Sequence, residues 1–189
     1  MRTILLTHGA GSNRNAPLLV ALEAEFTALG FTVERVDLAF RSSGRSGPPR
    51  PADQAQDRAG LAEHLVRLKA TGKVYLGGHS YGGRQGSMLL AERPELADGL
   101  LLLAYPLHPP GKPEQLRTAH LPSLKTPVLL VSGGKDEFGT ESELSQALDL
   151  IPARKEFKIF PALRHDLGAG RKGVAAEIAA AFDRFILKA

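Results

Sequence analysis

The fold of this chain is decided at Leu76-Gly77-Gly78-His79-Ser80-Tyr81-Gly82-Gly83, an octapeptide that follows an apolar run and precedes a helical pattern. Within it, Gly78-x-Ser80-x-Gly82 has the spacing of a nucleophile elbow, in which a serine occupies a strained turn between a strand and a helix. Glycine is expected on both sides of Ser80 because a Cβ at either position would collide with neighbouring backbone. The motif predicts an exposed serine hydroxyl at the carboxyl end of a strand.

Apolar runs of strand length alternate with helical patterns on both sides of the octapeptide. The predicted strands cover residues 3–7, 31–38, 73–77, 99–104, 127–132 and 155–160. The fourth run is apolar throughout, which indicates burial on both faces and therefore a parallel sheet. With no internal repeat or linker, residues 1–189 are expected to form one domain, a three-layer α/β/α sandwich with a six-stranded, mainly parallel sheet and no large cap.

The intervening helices are predicted over residues 17–29, 53–71, 81–92, 141–150 and 173–187. The second of them is expected to bury Ala55, Ala59, Ala62, Leu65 and Val66. Two segments have no period and are expected to be irregular: residues 39–51, and residues 105–125 with five prolines. The arginines of the first, Arg41, Arg45 and Arg50, either meet an anionic substrate or belong to a solvated loop, and the second interpretation is favoured.

Composition excludes several classes of protein. The 24 basic and 20 acidic residues give a net charge of +4, and they are scattered, which argues against binding to nucleic acid. The absence of cysteine excludes disulfides, thiolate zinc sites and a cysteine nucleophile. No secretory signal or apolar segment of roughly 18 residues is present, so the chain is expected to be cytoplasmic and not to bind membranes. No metal or other cofactor is expected.

Three side chains with complementary chemistry follow three of the predicted strands. Ser80 follows the third, Asp136 the fifth and His165 the sixth, and loops at the carboxyl ends of parallel strands line the ligand site of such a sheet. A serine hydroxyl needs a histidine to accept its proton, and a carboxylate must hold that histidine in one tautomer. Ser80, His165 and Asp136 are therefore predicted to be the nucleophile, the general base and the orienting acid.

Competing candidates are set aside by position. Glu137 adjoins Asp136, and Asp166 adjoins His165, where it is expected to begin the turn toward the last helix. His79 is expected to be directed away from Ser80, His64 to lie on the solvent side of its helix, and His120 to belong to the proline-rich segment.

A tetrahedral oxyanion needs two preorganised donors. The backbone N–H of Tyr81 is predicted to be one, because it opens a helix, and the N–H of Ala10, in the loop after the first strand, is predicted to be the other. In this supporting loop Gly9 and Gly11 are expected to let the backbone approach the serine. His8 is expected to orient the loop through a hydrogen bond.

The segment after the fourth strand could border the same site. Tyr105, Leu107 and His108 either line a substrate pocket or serve plain packing. Arg84, one turn into the helix after Ser80, is expected to anchor a loop through a salt bridge and to take no part in catalysis.

On these residues the chain resembles the α/β-hydrolase superfamily and, within it, a small bacterial dienelactone-hydrolase-like group. That group is also similar to testis-expressed hydrolase-like proteins and to the hydrolase-like domain of a chromatin acetyltransferase-complex subunit. The resemblance implies the triad named above and a strand order of 2-1-3-4-5-6. The matching motifs are His8-Gly9-Ala10-Gly11, Gly78-His79-Ser80-Tyr81-Gly82-Gly83-Arg84, Tyr105-Pro106-Leu107-His108-Pro109-Pro110-Gly111-Lys112 and Gly133-x-x-Asp136-x-Phe138-Gly139.

Two departures from the resembled families shape the expected activity. The first predicted strand corresponds to the third of the full superfamily sheet. The dienelactone hydrolases proper use a cysteine nucleophile, whereas this chain has Ser80, which favours general ester hydrolysis. The sequence therefore predicts a cofactor-free serine hydrolase that acts on small-molecule esters through an acyl-serine intermediate. The alternatives are an interaction module with an idle triad, or a serine-dependent perhydrolase, lyase or amidase.

Overall fold

A six-stranded, all-parallel sheet forms the centre of the computed structural model, which describes residues 1–44, 47–169, 171 and 173–187. The strands lie in the spatial order β2-β1-β3-β4-β5-β6. They are β1 (Arg2–Thr7), β2 (Thr32–Val36), β3 (Lys73–His79), β4 (Gly99–Leu103), β5 (Val128–Gly133) and β6 (Lys155–Phe160). The predicted fold class and strand order are thus confirmed, although β2 is shorter than the predicted 31–38.

Helices cover both faces of the sheet. They are α1 (Pro17–Ala28), α2 (Ala39–Ser42), α3 (Asp53–Lys69), α4 (Tyr81–Glu92), α5 (Glu141–Asp149) and α6 (Val174–Leu187), with 3₁₀ turns at Pro94–Leu96 and Leu121–Ser123. The start of α5 follows from a capping box between Thr140 and Glu143. Helix α2 corrects the prediction that residues 39–51 are irregular throughout. No described helix is both long and apolar enough to span a bilayer.

Two hydrophobic cores lie on opposite faces of the sheet. Along β4, Leu100 and Leu102 belong to the core beneath α3, α4 and α5, whereas Leu101 and Leu103 belong to the core beneath α1 and α6. Because side chains alternate along a strand, a strand buried on both faces must be apolar at every position. This explains the uninterrupted leucine run of β4.

Helix α3 is rotated relative to the predicted apolar face. Ala55 and Ala59 are exposed, and Val66 is 52% exposed. The helix instead buries Asp57, whose carboxylate accepts hydrogen bonds from the Phe40 backbone N–H at 2.9 Å and the Tyr81 hydroxyl at 2.6 Å. The prediction is confirmed for Ala62 and Leu65 and wrong for the other three, because a buried carboxylate satisfied by distant partners has no local sequence signature. The residues that α3 buries are Asp57, Leu61, Ala62, Leu65 and Leu68.

The strand order places the predicted site at one edge of the sheet. The order reverses between β1 and β3, which pair in parallel up to Thr7 and Gly78. The loops that follow these two strands therefore leave the sheet side by side, at the position where ligands bind in open α/β sheets.

Candidate active site

Ser80 occupies a strained turn between β3 and α4. Its φ is 50° and its ψ is −117°, a region that costs a residue with a side chain of the order of 1–3 kcal/mol. The turn closes because glycine flanks it: a Cβ on Gly78 would lie 2.4 Å from the Gly83 nitrogen, and one on Gly82 would lie 2.5 Å from the His8 carbonyl oxygen. These contacts give the physical reason for the Gly78-x-Ser80-x-Gly82 spacing.

The predicted nucleophile, base and acid form a continuous chain of hydrogen bonds. His165 Nε2 lies 2.7 Å from Ser80 Oγ, and His165 Nδ1 lies 2.8 Å from Asp136 Oδ2. An ionised carboxylate only accepts hydrogen bonds, so the ring proton belongs on Nδ1, and Nε2 is left to accept the hydroxyl proton of Ser80. Side chains separated by up to 85 residues in sequence thus meet in the arrangement that activates a serine.

Asp136 is buried, and its carboxylate is hydrogen-bonded to backbone and side-chain donors. Its side chain is 0% exposed, and its carboxylate accepts from the Phe138 backbone N–H at 2.9 Å and from the Ser132 hydroxyl at 3.4 Å. The neighbouring acids point elsewhere. Glu137 is exposed, and Asp166 accepts from the Gly168 N–H at 3.0 Å, in a local turn.

The ring of His165 is also held by aromatic neighbours. Phe138 packs against it, with ring centroids 4.1 Å apart and an interplanar angle of 31°. Phe138 belongs to the motif Gly133-x-x-Asp136-x-Phe138-Gly139, which predicts no role for its side chain. No pattern of apolar residues indicates that a side chain two positions after the acid covers the imidazole.

His79 corrects a prediction, because it lies against the site and is not directed away from it. Its ring centroid is 5.4 Å from that of His165, and its Nε2 lies 2.9 Å from the His165 carbonyl oxygen. Burial lowers the pKa of His79 to about 4, with a smaller contribution in the same direction from the charge of His165. His79 is therefore neutral at physiological pH and donates from Nε2 to the backbone of the predicted base.

The loop after β1 lies directly beside the serine. A Cβ on Gly9 would be 3.0 Å from His79 Nδ1 and 3.3 Å from Ser80 Cβ, so glycine is needed for this approach. Gly11 is different, since nothing lies within 4 Å of its Cβ position. The expectation that Gly11 also permits a close approach is therefore wrong.

His8 ties this loop to the end of β2. The Leu38 N–H donates to His8 Nε2 at 3.1 Å, which leaves the proton on Nδ1 to be donated to the Gly9 carbonyl oxygen at 2.8 Å. Burial lowers the pKa of His8, so the ring is neutral and serves as a bridge between backbone groups. Arg41 adds to the support by donating to the carbonyl oxygens of Ser12 and Ala10.

The two predicted oxyanion donors border one cleft with the serine. Ala10, Ser80 and Tyr81 all line a cleft of about 300 Å³. Tyr81 is the first residue of α4, where backbone N–H groups have no partner within the helix. Its side-chain hydroxyl donates to Asp57 at 2.6 Å.

Part of the cleft wall comes from the two segments that the sequence predicted to be irregular. Pro48, Pro49 and Pro51 contribute from the segment after α2, and Gln54, Arg84, Pro106, Arg117 and Phe138 complete it. Arg50 is held through its backbone N–H, which donates to Asp53 at 2.6 Å. Arg45 lies outside the described residues. Residues 39–51 thus contribute proline side chains to the site, and Arg41 supports the loop after β1.

Tyr105, Leu107 and His108 do not line this cleft. All three are buried, and the Tyr105 hydroxyl donates to the Arg117 carbonyl oxygen at 2.6 Å. Of the two alternatives left open for them, the structure shows packing. The segment reaches the cleft through Arg117 and through Pro106, which lies in a tight turn closed by a hydrogen bond from the Leu107 N–H to the Tyr105 carbonyl oxygen at 2.9 Å.

Arg84 has no salt bridge in the described part of the chain, contrary to expectation. Its guanidinium reaches Gln54 Oε1 at 3.4 Å, and its buried Nε has no hydrogen-bond partner among the described residues.

The described part of the chain contains no cluster of three or more histidine and carboxylate side chains that could hold a metal ion.

The chain is similar to known proteins in its sequence and in its fold. A family model described as an alpha/beta hydrolase domain matches residues 1–184. Among solved structures, a dienelactone hydrolase from Anabaena variabilis is 22% identical, with a TM-score of 0.77 over 100% of this chain and 86% of that one. Est1E from Butyrivibrio proteoclasticus, solved with ferulic acid bound, is 15% identical, with a TM-score of 0.78 over 99% of this chain and 90% of that one. A monoacylglycerol lipase from Paleococcus ferrophilus is 15% identical, with a TM-score of 0.78 over 98% and 94%.

Proposed function

The chain belongs to the alpha/beta hydrolase domain family, and we propose that it is a cofactor-free serine hydrolase that cleaves small carboxylic esters. The observation that carries the proposal is the chain of hydrogen bonds from Ser80 through His165 to Asp136, with distances of 2.7 and 2.8 Å. A hydroxyl, an imidazole and a buried carboxylate in this order can generate an oxygen nucleophile at neutral pH.

The first half of the reaction forms an acyl-enzyme. Ser80 Oγ attacks the ester carbonyl carbon while its proton passes to His165 Nε2. The negative oxygen of the tetrahedral intermediate is stabilised by the N–H groups of Ala10 and Tyr81, and losing one such donor costs roughly 10²- to 10³-fold in kcat. The bond from carbon to the alcohol oxygen then breaks, and His165 returns the proton to the leaving alcohol.

The second half releases the acid. Water attacks the acyl-Ser80 carbonyl and transfers a proton to His165, and the tetrahedral intermediate collapses with return of that proton to Ser80 Oγ. Asp136 remains ionised throughout and stabilises the imidazolium that forms twice in the cycle. One ester and one water yield one acid and one alcohol, and no metal or redox cofactor is required.

The size of the cleft favours small substrates. A volume of about 300 Å³ is at the lower end for a ligand site, and four prolines and Phe138 form part of its walls. Short acyl chains therefore fit better than long lipids. The structurally similar proteins named as a lipase and a dienelactone hydrolase support an ester as the substrate class.

The test uses a chromogenic ester and a fluorophosphonate label. The unmodified protein should hydrolyse p-nitrophenyl butyrate and gain one fluorophosphonate adduct at Ser80, identified by mass spectrometry of the peptide. Ser80→Ala should lose both, whereas Ser145→Ala, an exposed serine on α5, should retain both. Labelling that survives in Ser80→Ala would overturn the proposal. Absence of both turnover and labelling in the unmodified protein would instead favour an interaction module with an idle triad.

A further inference from the structure

Two guanidinium groups line the cleft beside Ser80. Arg84 comes from the second turn of α4, and Arg117 from the proline-rich segment after β4. Arg117 Nη1 donates to the Pro106 carbonyl oxygen at 3.1 Å, and Arg84 Nη1 reaches Gln54 Oε1 at 3.4 Å. These neutral partners use only a small part of the ten N–H donors that two guanidinium groups carry.

Other arginines of the chain are paired with carboxylates. Arg2 lies 2.6 Å from Asp183, and Arg35 lies 2.7 Å from Glu23. In the part of the chain that the structure describes, no ion pair joins Arg84 or Arg117 to a carboxylate, and Arg84 Nε is buried without an acceptor. Arg84 and Arg117 thus bring two guanidinium groups to the cleft that are not neutralised by an ion pair with a described residue.

The acidic residues nearest to the cleft are already engaged. The Asp57 carboxylate accepts from the Tyr81 hydroxyl and the Phe40 N–H, and Asp53 accepts from the Arg50 N–H. The Asp57 carboxylate is therefore directed toward Tyr81 and Phe40 and forms no ion pair with Arg84 or Arg117 in the described part of the chain.

The pKa values of Arg117 and His120 agree with positive charge in and beside the cleft. Burial, and after it the charge of Arg84, lowers the pKa of Arg117. Burial, followed by the charges of Arg84 and Arg58, lowers the pKa of His120 to about 4. In both cases burial is the larger cause, and the contribution of Arg84 shows that its charge lies near Arg117 and His120.

We infer that the substrate is an ester that also carries a carboxylate, which Arg84 and Arg117 bind while Ser80 attacks the ester carbonyl. The inference rests on the proposed function and specifies its substrate class. A carboxylate suits the site because it is planar and can accept from both guanidinium groups. It would also neutralise the charge that the cleft concentrates.

The kinetic test compares anionic esters with neutral esters of matched size. One pair places the charge on the acyl side, p-nitrophenyl hydrogen adipate against p-nitrophenyl hexanoate. The other places it on the leaving group, 4-acetoxybenzoate against methyl 4-acetoxybenzoate. In at least one pair, kcat/KM should favour the anion by roughly 10- to 100-fold, as expected for charge-assisted hydrogen bonds. Raising the salt concentration should reduce this ratio.

Substitutions locate the preference. In Arg117→Gln and Arg84→Gln the ratio of anionic to neutral kcat/KM should fall about tenfold or more, mainly through KM, and Arg117→Lys should restore part of it. The matched control is Arg184→Gln, an exposed arginine in the last turn of α6, which should keep the ratio. Because each ratio is measured within one protein, a variant with partial loss of folding lowers both rates and leaves the ratio interpretable.

A binding experiment with an inactive variant tests the inference separately from the proposed function. Ser80→Ala should bind monomethyl adipate at least tenfold more tightly than dimethyl adipate in calorimetric titration, and Arg117→Gln in that background should remove the difference. Equal affinity for the two compounds, or equal kcat/KM within both ester pairs, would overturn the inference. Hydrolysis of neutral esters without any anionic preference would leave the serine hydrolase proposal intact.

Discussion

The imidazole of His79 donates a hydrogen bond to the backbone carbonyl oxygen of His165 across 2.9 Å. A carbonyl oxygen only accepts, so the proton belongs on His79 Nε2. Nδ1 of the same ring faces Gly9. The residue before the predicted nucleophile therefore touches both the loop of the predicted base and the loop of a predicted oxyanion donor.

His79 is expected to position His165 without touching the substrate. His79→Phe keeps a buried ring but removes the donor, so kcat for p-nitrophenyl butyrate should fall roughly 10- to 100-fold with little change in KM, because the base is misplaced. His79→Gln can donate from its amide and should recover part of the rate. Full activity in His79→Phe would show that the contact does not orient the base.

Asp136 is expected to be the acid that fixes the His165 tautomer. Asp136→Asn can present an N–H to Nδ1 and thereby favour the wrong tautomer, so kcat should fall by roughly 10⁴-fold, as in other triads. Glu137→Gln is the matched control, because that carboxylate is exposed, and its rate should stay within a factor of two or so of the unmodified protein. Comparable losses in both variants would show that Asp136 is not the residue that fixes the His165 tautomer.

Two glycines in helices are expected to respond to alanine in opposite ways. In Gly82→Ala the new Cβ would lie 2.5 Å from the His8 carbonyl oxygen, and we expect a loss of more than about 2 kcal/mol in the free energy of unfolding. In Gly60→Ala nothing lies within 4 Å of the Cβ in α3, and we expect a gain of roughly 0.5–1 kcal/mol. Urea unfolding measures both, and a tolerated Gly82→Ala would contradict the close approach.

Acid is expected to destabilise the fold through His79 and His120. Burial lowers the pKa of each to about 4, from 6.5 for an unperturbed histidine. Between about pH 6.5 and pH 4 the unfolded chain binds more protons than the folded chain, so the free energy of unfolding falls as pH is lowered through this window. Thermal melts between pH 7.5 and pH 4.5 should show a shallower decline in His120→Gln. An unchanged slope would show that His120 does not contribute.

Much of the site could be predicted because its residues follow strands in a regular order. Ser80, Asp136 and His165 each follow, within a few residues, an apolar run that predicts a strand. Parallel pairing of those strands alone brings the residues after them to one edge of the sheet. The direction of a side chain next to them was not predictable in the same way. His79 was expected to face away, yet its contact is with a backbone carbonyl 86 residues later.

The segment after β4 shows the same limit. The quoted motif singles out Tyr105, Leu107 and His108, but the cleft is lined by Pro106 and by Arg117, eleven residues later. In an irregular stretch no period tells which residues face inward. The apolar face of α3 was predicted only in part for a related reason, since the partners of buried Asp57 are supplied by α2 and α4.

The backbone of Ser80, at φ 50°, has a consequence for how this protein can evolve. Glycine adopts that conformation without strain, so Ser80→Gly relaxes the turn while it removes the hydroxyl. A directed-evolution library ranked by thermal tolerance alone would therefore enrich glycine at this position. The chemistry survives only where selection acts on turnover as well as on folding.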